Sequence, residues 1–72
     1  MSKLERGTVV RWFDDRGFGF IKPDGGAPED VFVHIKTLRH CGIDVAEVGM
    51  MVRFERGAGR GGKPEAINVE LA

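Results

Sequence analysis

Five short runs of β-branched and aromatic residues, separated by glycine- and proline-rich turns, restrict the fold of this chain more than any other feature. Such runs are typical of β-strands. We predict strands over residues 6–13, 18–23, 30–35, 50–56 and 65–71. Short strands joined by short turns favour a small closed barrel over an open sheet.

Two connections between these strands carry further information. The residues Asp14-Asp15-Arg16-Gly17 form a short turn, which predicts a hairpin of the first two strands. The segment 36–48 lacks the strand pattern. We predict one helical turn over residues 36–39 and a second over residues 45–48, capped by Asp44.

The chain has 72 residues, and we expect one domain over residues 1–72. A chain of this size buries only about 60% of the surface that its unfolded form exposes, so it fills a single core. The lone Cys41 excludes an internal disulfide and fits a reducing compartment. The sequence has no apolar stretch long enough for a secretory signal or a membrane span. We therefore expect a cytoplasmic protein.

The net charge of +0 argues against a protein that binds mainly through bulk electrostatics. Five bases stand against three acids in residues 1–22, and six acids against three bases in residues 24–55. Residues 56–63 hold three bases and no acid. Any affinity for nucleic acid must therefore come largely from contacts other than net charge.

The second and third predicted strands are apolar on both sides. Because side chains alternate along a strand, one side is aliphatic and the other is aromatic. We call the second side the aromatic face, and it carries Phe18, Phe20, Phe32 and His34.

Aliphatic residues alone suffice to fill one small barrel. We predict a core of Val10, Ile21, Val31, Val33, Ile35, Val48, Val52, Ile67, Val69 and Leu71. A closed sheet has one interior, so we expect the aromatic face outside it, although core packing of its rings is the alternative. An unburied phenylalanine forgoes about 1.5–3 kcal/mol of burial. A soluble monomer tolerates such a patch mainly as a binding site.

A flat aromatic surface suits nucleic-acid bases, each of which contributes about 1–3 kcal/mol when it stacks on a ring. Trp12 and Phe13, at the end of the first strand, are placed to extend this surface. Arg11, Arg16 and Lys22 lie near it in sequence and are suited to contact phosphates. This combination predicts binding of single strands.

Three motifs together resemble the cold-shock domain family. Residues 16–21, Arg-Gly-Phe-Gly-Phe-Ile, are similar to the family's first ribonucleoprotein motif, and residues 31–35, Val-Phe-Val-His-Ile, to its second. Residues 7–13 are similar to the family's first strand, with Arg11 where lysine is usual. The resemblance covers about residues 7–69, in the family's order and spacing.

The resemblance implies an all-β fold, a five-stranded antiparallel OB-type barrel, with no enzymatic activity and no cofactor. It also implies binding of single-stranded RNA and DNA with little sequence selectivity. Such proteins act as RNA chaperones that hold strands unpaired, and some act as transcription antiterminators or translation regulators. We expect a monomer with no small-molecule substrate and no membrane partner. The expected nucleic-acid-binding residues are Arg11, Trp12, Phe13, Arg16, Phe18, Phe20, Asp30, Phe32, His34, Arg60 and Lys63.

The chain departs from the family pattern at four places. Only residues 14–16 separate Phe13 from Gly17, where the family usually has four residues. Asp14 replaces the usual asparagine, and Ile35 and Ile43 replace aromatic residues. We therefore predict weaker stacking than in members with all their rings. The basic loop 56–63 either offsets part of this loss through phosphate contacts of Arg60 and Lys63 or is a mobile, solvated hairpin loop.

Two other function classes compete with this prediction. A small barrel with exposed aromatic side chains can also bind peptides, although a groove for proline-rich peptides usually carries tyrosine, which this chain lacks. An enzyme is not indicated, because no nucleophile–base pair and no phosphate-binding loop is evident. His34, His40 and Cys41 fit no zinc spacing, so we expect no metal.

Overall fold

The computed structural model describes residues 4–26 and 29–72, with the backbone alone at position 60. The strands are β1 (Glu5–Phe13), β2 (Phe18–Pro23), β3 (Val31–His34), β4 (Met51–Ala58) and β5 (Pro64–Leu71). Helix α1 (Ile35–His40) follows β3, and a 3-10 turn (Arg60–Gly62) joins β4 to β5. The five predicted strands are confirmed, each within two residues at either end.

The strands close into a barrel in the order β1–β2–β3–β5–β4. The pairs β1–β2, β1–β4, β2–β3 and β4–β5 are antiparallel. The barrel closes between β3 and β5, which run parallel, with Phe32 opposite Glu65. The predicted five-stranded OB-type barrel is confirmed, with this one pair parallel rather than antiparallel. Parallel neighbours need a long connection, and residues 35–63 provide it.

The barrel interior is apolar and centred on Phe54, the largest fully buried side chain. Five of the ten predicted core residues are buried: Ile21, Val31, Val33, Val52 and Val69. Val10 and Ile35 are only half-buried, and Val48, Ile67 and Leu71 are exposed. Their places are taken by Val9, Leu38, Ile43, Ala46, Phe54 and Ala66.

A β-bulge in β1 explains why Val10 lies outside the core. Val9 pairs with Ile21 and Arg11 pairs with Phe20, so Val10 is an extra residue without a partner on β2. An extra residue breaks the alternation of a strand. Val9 therefore enters the core, while Arg11 lies on the same side of the sheet as Phe20.

A second irregularity, in the β4–β5 pair, has the same effect on Ile67. Asn68 pairs with Glu55 and Ala66 pairs with Arg56, which leaves Ile67 as the extra residue. Ala66 is buried as a result, and Ile67 is exposed.

Helix α1 packs against β3 and β5 and places Leu38 in the core. It confirms the helical turn predicted over residues 36–39. The second turn, predicted over residues 45–48, is wrong, since this segment has no helix. Gly42 and Gly49, with φ of 84° and 95°, bound the segment, and within it Ile43 and Ala46 are buried in the core.

The turn between β1 and β2 depends on Gly17. Its N–H donates to the carbonyl oxygen of Phe13 at 2.8 Å, and its φ is 71°. A Cβ at this position would lie 3.0 Å from Cγ2 of Ile35. A side chain is therefore disfavoured at this position both by the backbone conformation and by the neighbouring isoleucine.

Gly17→Ala is expected to lower the free energy of unfolding by about 1–2 kcal/mol, the usual penalty of the left-handed conformation for an L-residue. Gly25→Ala is the matched control, because its φ is not positive and no atom lies within 4 Å of the place that a Cβ would occupy. Urea unfolding of both variants measures the difference. Equal stability of the two would contradict the role assigned to Gly17.

Candidate nucleic-acid interface

Strands β2 and β3 hold the aromatic face together. Phe18 pairs with His34 and Phe20 with Phe32 across the two strands. The ring centroids are 5.4 Å apart for Phe18 and Phe32, 5.9 Å for Phe20 and Phe32, and 6.5 Å for Phe32 and His34. These tilted and edge-to-face arrangements are the favoured ones for aromatic pairs. The four side chains predicted to share a face do share it.

The aromatic face lies on the outside of the barrel. All four side chains are half-buried, whereas Ile21, Val31 and Val33, on the opposite side of the same strands, are 0% exposed. The alternative of core packing is therefore wrong for these rings. The one phenylalanine that fills the interior is Phe54.

The two aromatic residues at the end of β1 point in different directions. Phe13 pairs with Phe18, its ring centroid lies 5.2 Å from that of Phe18, and it is 37% exposed, so it borders the aromatic face. Trp12 pairs with Gly19 and packs against the core. A Cβ on Gly19 would lie 2.5 Å from Cε3 of Trp12, so the glycine makes room for the indole.

A cavity of about 580 Å³ adjoins the aromatic face at the closure of the barrel. It is lined by Phe20, Phe32, His34, Gly59, Lys63, Pro64 and Glu65. Lys63, which is exposed, lies in this lining together with Phe20 and Phe32. The side chain of Arg60, predicted to act with it, lies outside the described residues.

A second cavity, of about 440 Å³, shares part of this lining. It is bounded by Arg11, Phe20, Glu29, Asp30, Phe32, Lys63 and Pro64. The structure thus brings the predicted residues Arg11 and Asp30 to the same phenylalanines as Lys63. Donors and acceptors for hydrogen bonds surround the rings on this side.

Sequence reasoning missed four of the lining residues: Glu29, Gly59, Pro64 and Glu65. Pro64 and Glu65 begin β5, which reaches the aromatic face only because β5 pairs with β3, and Gly59 directly follows β4. No local pattern marks that pairing. Glu29 stands next to Asp30, and its position beside a predicted site residue was the one available signal.

The remaining predicted residues lie at the margins. Arg16 is exposed in the turn before Phe18. Ile35 is half-buried and packs against the core. Ile43 is 7% exposed and belongs to the core.

Arg56 is engaged elsewhere. Its guanidinium donates to both carboxylate oxygens of Glu5, at 2.9 and 3.0 Å, which ties β4 to the start of β1. The positive charge available from the segment 56–63 is reduced accordingly.

The described residues contain no group of three or more His, Cys, Asp or Glu side chains arranged to hold a metal ion. Within residues 4–26 and 29–72, no helix has the length and apolar character needed to cross a membrane.

Comparison with known proteins gives a consistent picture. The family model described as the 'cold-shock' DNA-binding domain matches residues 5–72. The chain is 46% identical over 61 residues to cold shock-like protein CspD of Bacillus cereus, covering 83% of this chain and 88% of that protein. It is 43% identical over 63 residues to cold shock protein CapA of Pseudomonas fragi, covering 86% and 95%. Glycine-rich protein 2 of Nicotiana sylvestris is 45% identical over 65 residues, but this match covers 89% of the chain and 29% of the plant protein.

Proposed function

The chain belongs to the cold-shock domain family of nucleic-acid-binding domains, and from this membership we propose that it binds single-stranded RNA and DNA on its aromatic face. The observation that carries the proposal is the placement of four adjoining aromatic rings outside a barrel whose interior is already filled. The surface is available to a flat ligand and has no packing role in the core.

Stacking on this surface requires unpaired bases. In a duplex the base faces are covered by their neighbours, so the rings have access to them only in a single strand. Because every base has a flat face, stacking carries little sequence selectivity. Lys63, Arg11 and Asp30 border the rings and supply hydrogen bonds to base edges and phosphates.

The proposed site comprises the aromatic face together with seven further residues predicted from the sequence. Those residues are Arg11, Trp12, Phe13, Arg16, Asp30, Arg60 and Lys63. Trp12 is the member whose half-buried indole also packs against the core. Stacking supplies most of the affinity, since the net charge is +0.

An RNA-chaperone activity follows from selective binding of open strands. A protein that binds the unpaired form and not the paired form shifts the equilibrium toward the unpaired form by mass action, without ATP. We propose that the protein works in this way as a monomer in the cytoplasm and catalyses no reaction. Where an RNA hairpin controls transcription or translation, the same shift regulates it.

The test compares one labelled oligo-pyrimidine strand with its matched duplex. We expect fluorescence anisotropy to show binding of the single strand and much weaker binding of the duplex, with a change in Trp12 emission for the single strand only. The slope of log K against log salt should be shallow, at about −0.7 for each phosphate contacted.

Two outcomes would overturn the proposal. The first is absence of single-strand binding at low salt. The second is displacement of the strand by a proline-rich peptide that binds the same rings with higher affinity, which would favour a protein-interaction module.

A further inference from the structure

The solvent side of α1 is basic. Lys36, Arg39 and His40 are all exposed, and their spacing of three and four residues places them on one side of the helix. Leu38 is buried on the opposite side. The helix contains no carboxylate. We call these three side chains the basic face.

The basic face has no ionic partner in the described part of the chain. The ion pairs there join Arg53 to Glu70 and Arg56 to Glu5. Three of the other bases near the aromatic face have acidic residues close by, while Lys22 of β2 is exposed. Arg11 and Lys63 share a cavity with Glu29 and Asp30, and Arg16 follows Asp14 and Asp15 in the turn. On α1, by contrast, the exposed bases have no carboxylate within their own element.

His34 connects the aromatic face to the basic face. Its ring is the end of the aromatic face next to Phe18, and its Nδ1 accepts a hydrogen bond from the backbone N–H of Lys36 at 3.1 Å, as the N-cap of α1. The N–H of Ile35 also donates to the carbonyl oxygen of Gly17 at 2.8 Å. Helix α1 thus begins at the edge of the aromatic face and is hydrogen-bonded to His34 of β3 and to Gly17, which precedes β2.

We infer that the basic face extends the nucleic-acid site, as a contact surface for the phosphates of the strand beyond His34. This inference rests on the proposed function. A strand whose bases stack on the rings continues past His34 onto α1, where Arg39 offers a two-pronged donor and Lys36 a point charge. Helix α1 is about 9 Å long, so this contact extends the site along the bound strand.

The experiment compares two lengths of the same oligo-pyrimidine, of about six and about twelve nucleotides, within the range of sites known for one barrel of this type. We expect the variant Lys36→Gln/Arg39→Gln to bind the short strand as the wild type does. It should lose the additional affinity that the wild type has for the long strand. Its salt slope on the long strand should be shallower by about 1.4, or 0.7 for each lost phosphate contact.

Two control variants accompany the double variant. Arg6→Gln removes an exposed base on β1, five residues before Arg11, and should leave binding of both strands unchanged. Lys36→Arg keeps the charge and should keep the gain for the long strand. Circular dichroism should show the wild-type fold for each variant, because the substituted side chains are exposed.

The outcomes separate this inference from the proposed function. If the wild type binds neither strand, the proposed function fails. If the wild type binds both and the double variant keeps the full gain for the long strand, only the inference about α1 fails. An equal loss in Arg6→Gln would also overturn it, because the effect would then be one of net charge.

Discussion

Phe32→Ala is expected to lower the affinity for an oligo-pyrimidine strand by about 5- to 150-fold, since one stacked base contributes about 1–3 kcal/mol. Phe32 is expected to have the largest effect because its ring contacts those of Phe18, Phe20 and His34. It also lines both cavities beside the aromatic face. Its removal takes away one stacking surface and a wall of each cavity.

The measurement is an anisotropy titration at fixed salt, with urea unfolding of the same samples. Phe13→Ala is the matched control, because Phe13 is at the border of the aromatic face and contacts Phe18 alone among its four rings. It should lose less affinity than Phe32→Ala. A folded Phe32→Ala variant that binds as tightly as the wild type would refute the stacking site.

Phe54→Ala is expected to lower the free energy of unfolding by about 3–5 kcal/mol, through lost burial and the cavity left behind. Phe54 is 0% exposed and sits in β4 between Glu5 of β1 and Val69 of β5. A single core in a chain of this size rarely supplies more than about 3–5 kcal/mol of stability. The variant should therefore be largely unfolded at room temperature.

Far-ultraviolet circular dichroism and the urea midpoint test this expectation. Phe54→Leu serves as the control, because it keeps most of the apolar volume and should remain folded. The comparison with Phe32→Ala is the more informative one, since both variants remove the same atoms from β-strands of one barrel. We expect lost binding from the outer ring and lost folding from the inner one. A stable Phe54→Ala protein would contradict the core described above.

The strands and the aromatic face were predictable because both depend on local patterns. Alternation of side chains determines which residues share a side of a strand, and glycine and proline mark where strands end. The same rule applied to Val52 predicts that Phe54 shares its inward direction. The aliphatic core prediction left Phe54 out because it counted only non-aromatic side chains as interior.

The bulges were not predictable from alternation. Val10 and Ile67 have the residue type of core positions, and each is displaced because one strand carries one residue more than its partner. Register of this kind depends on how two distant segments pair. The same limit applies to Pro64 and Glu65, which reach the site through the pairing of β5 with β3.

The helical turn predicted after α1 is absent for a different reason. Asp44 is a favourable cap, but a cap does not form a helix without enough residues behind it. Ile43 and Ala46 are instead buried against the barrel while Val45 and Val48 remain exposed. Which of these residues are buried depends on how the irregular segment packs against the barrel. Its sequence has no helical or strand periodicity that predicts this burial.

The parallel closure between β3 and β5 has a consequence for thermodynamic linkage. The two strands share one Cα-partner pair, Phe32 with Glu65, and the larger cavity has residues of both strands in its lining. A nucleic-acid strand bound as proposed would therefore contact both strands of the pair that has the fewest paired residues in the barrel. Binding of the nucleic acid then stabilises the pairing of β3 with β5, and this pairing strengthens binding by the same free energy. A nucleic acid bound as proposed would therefore also stabilise the closed barrel.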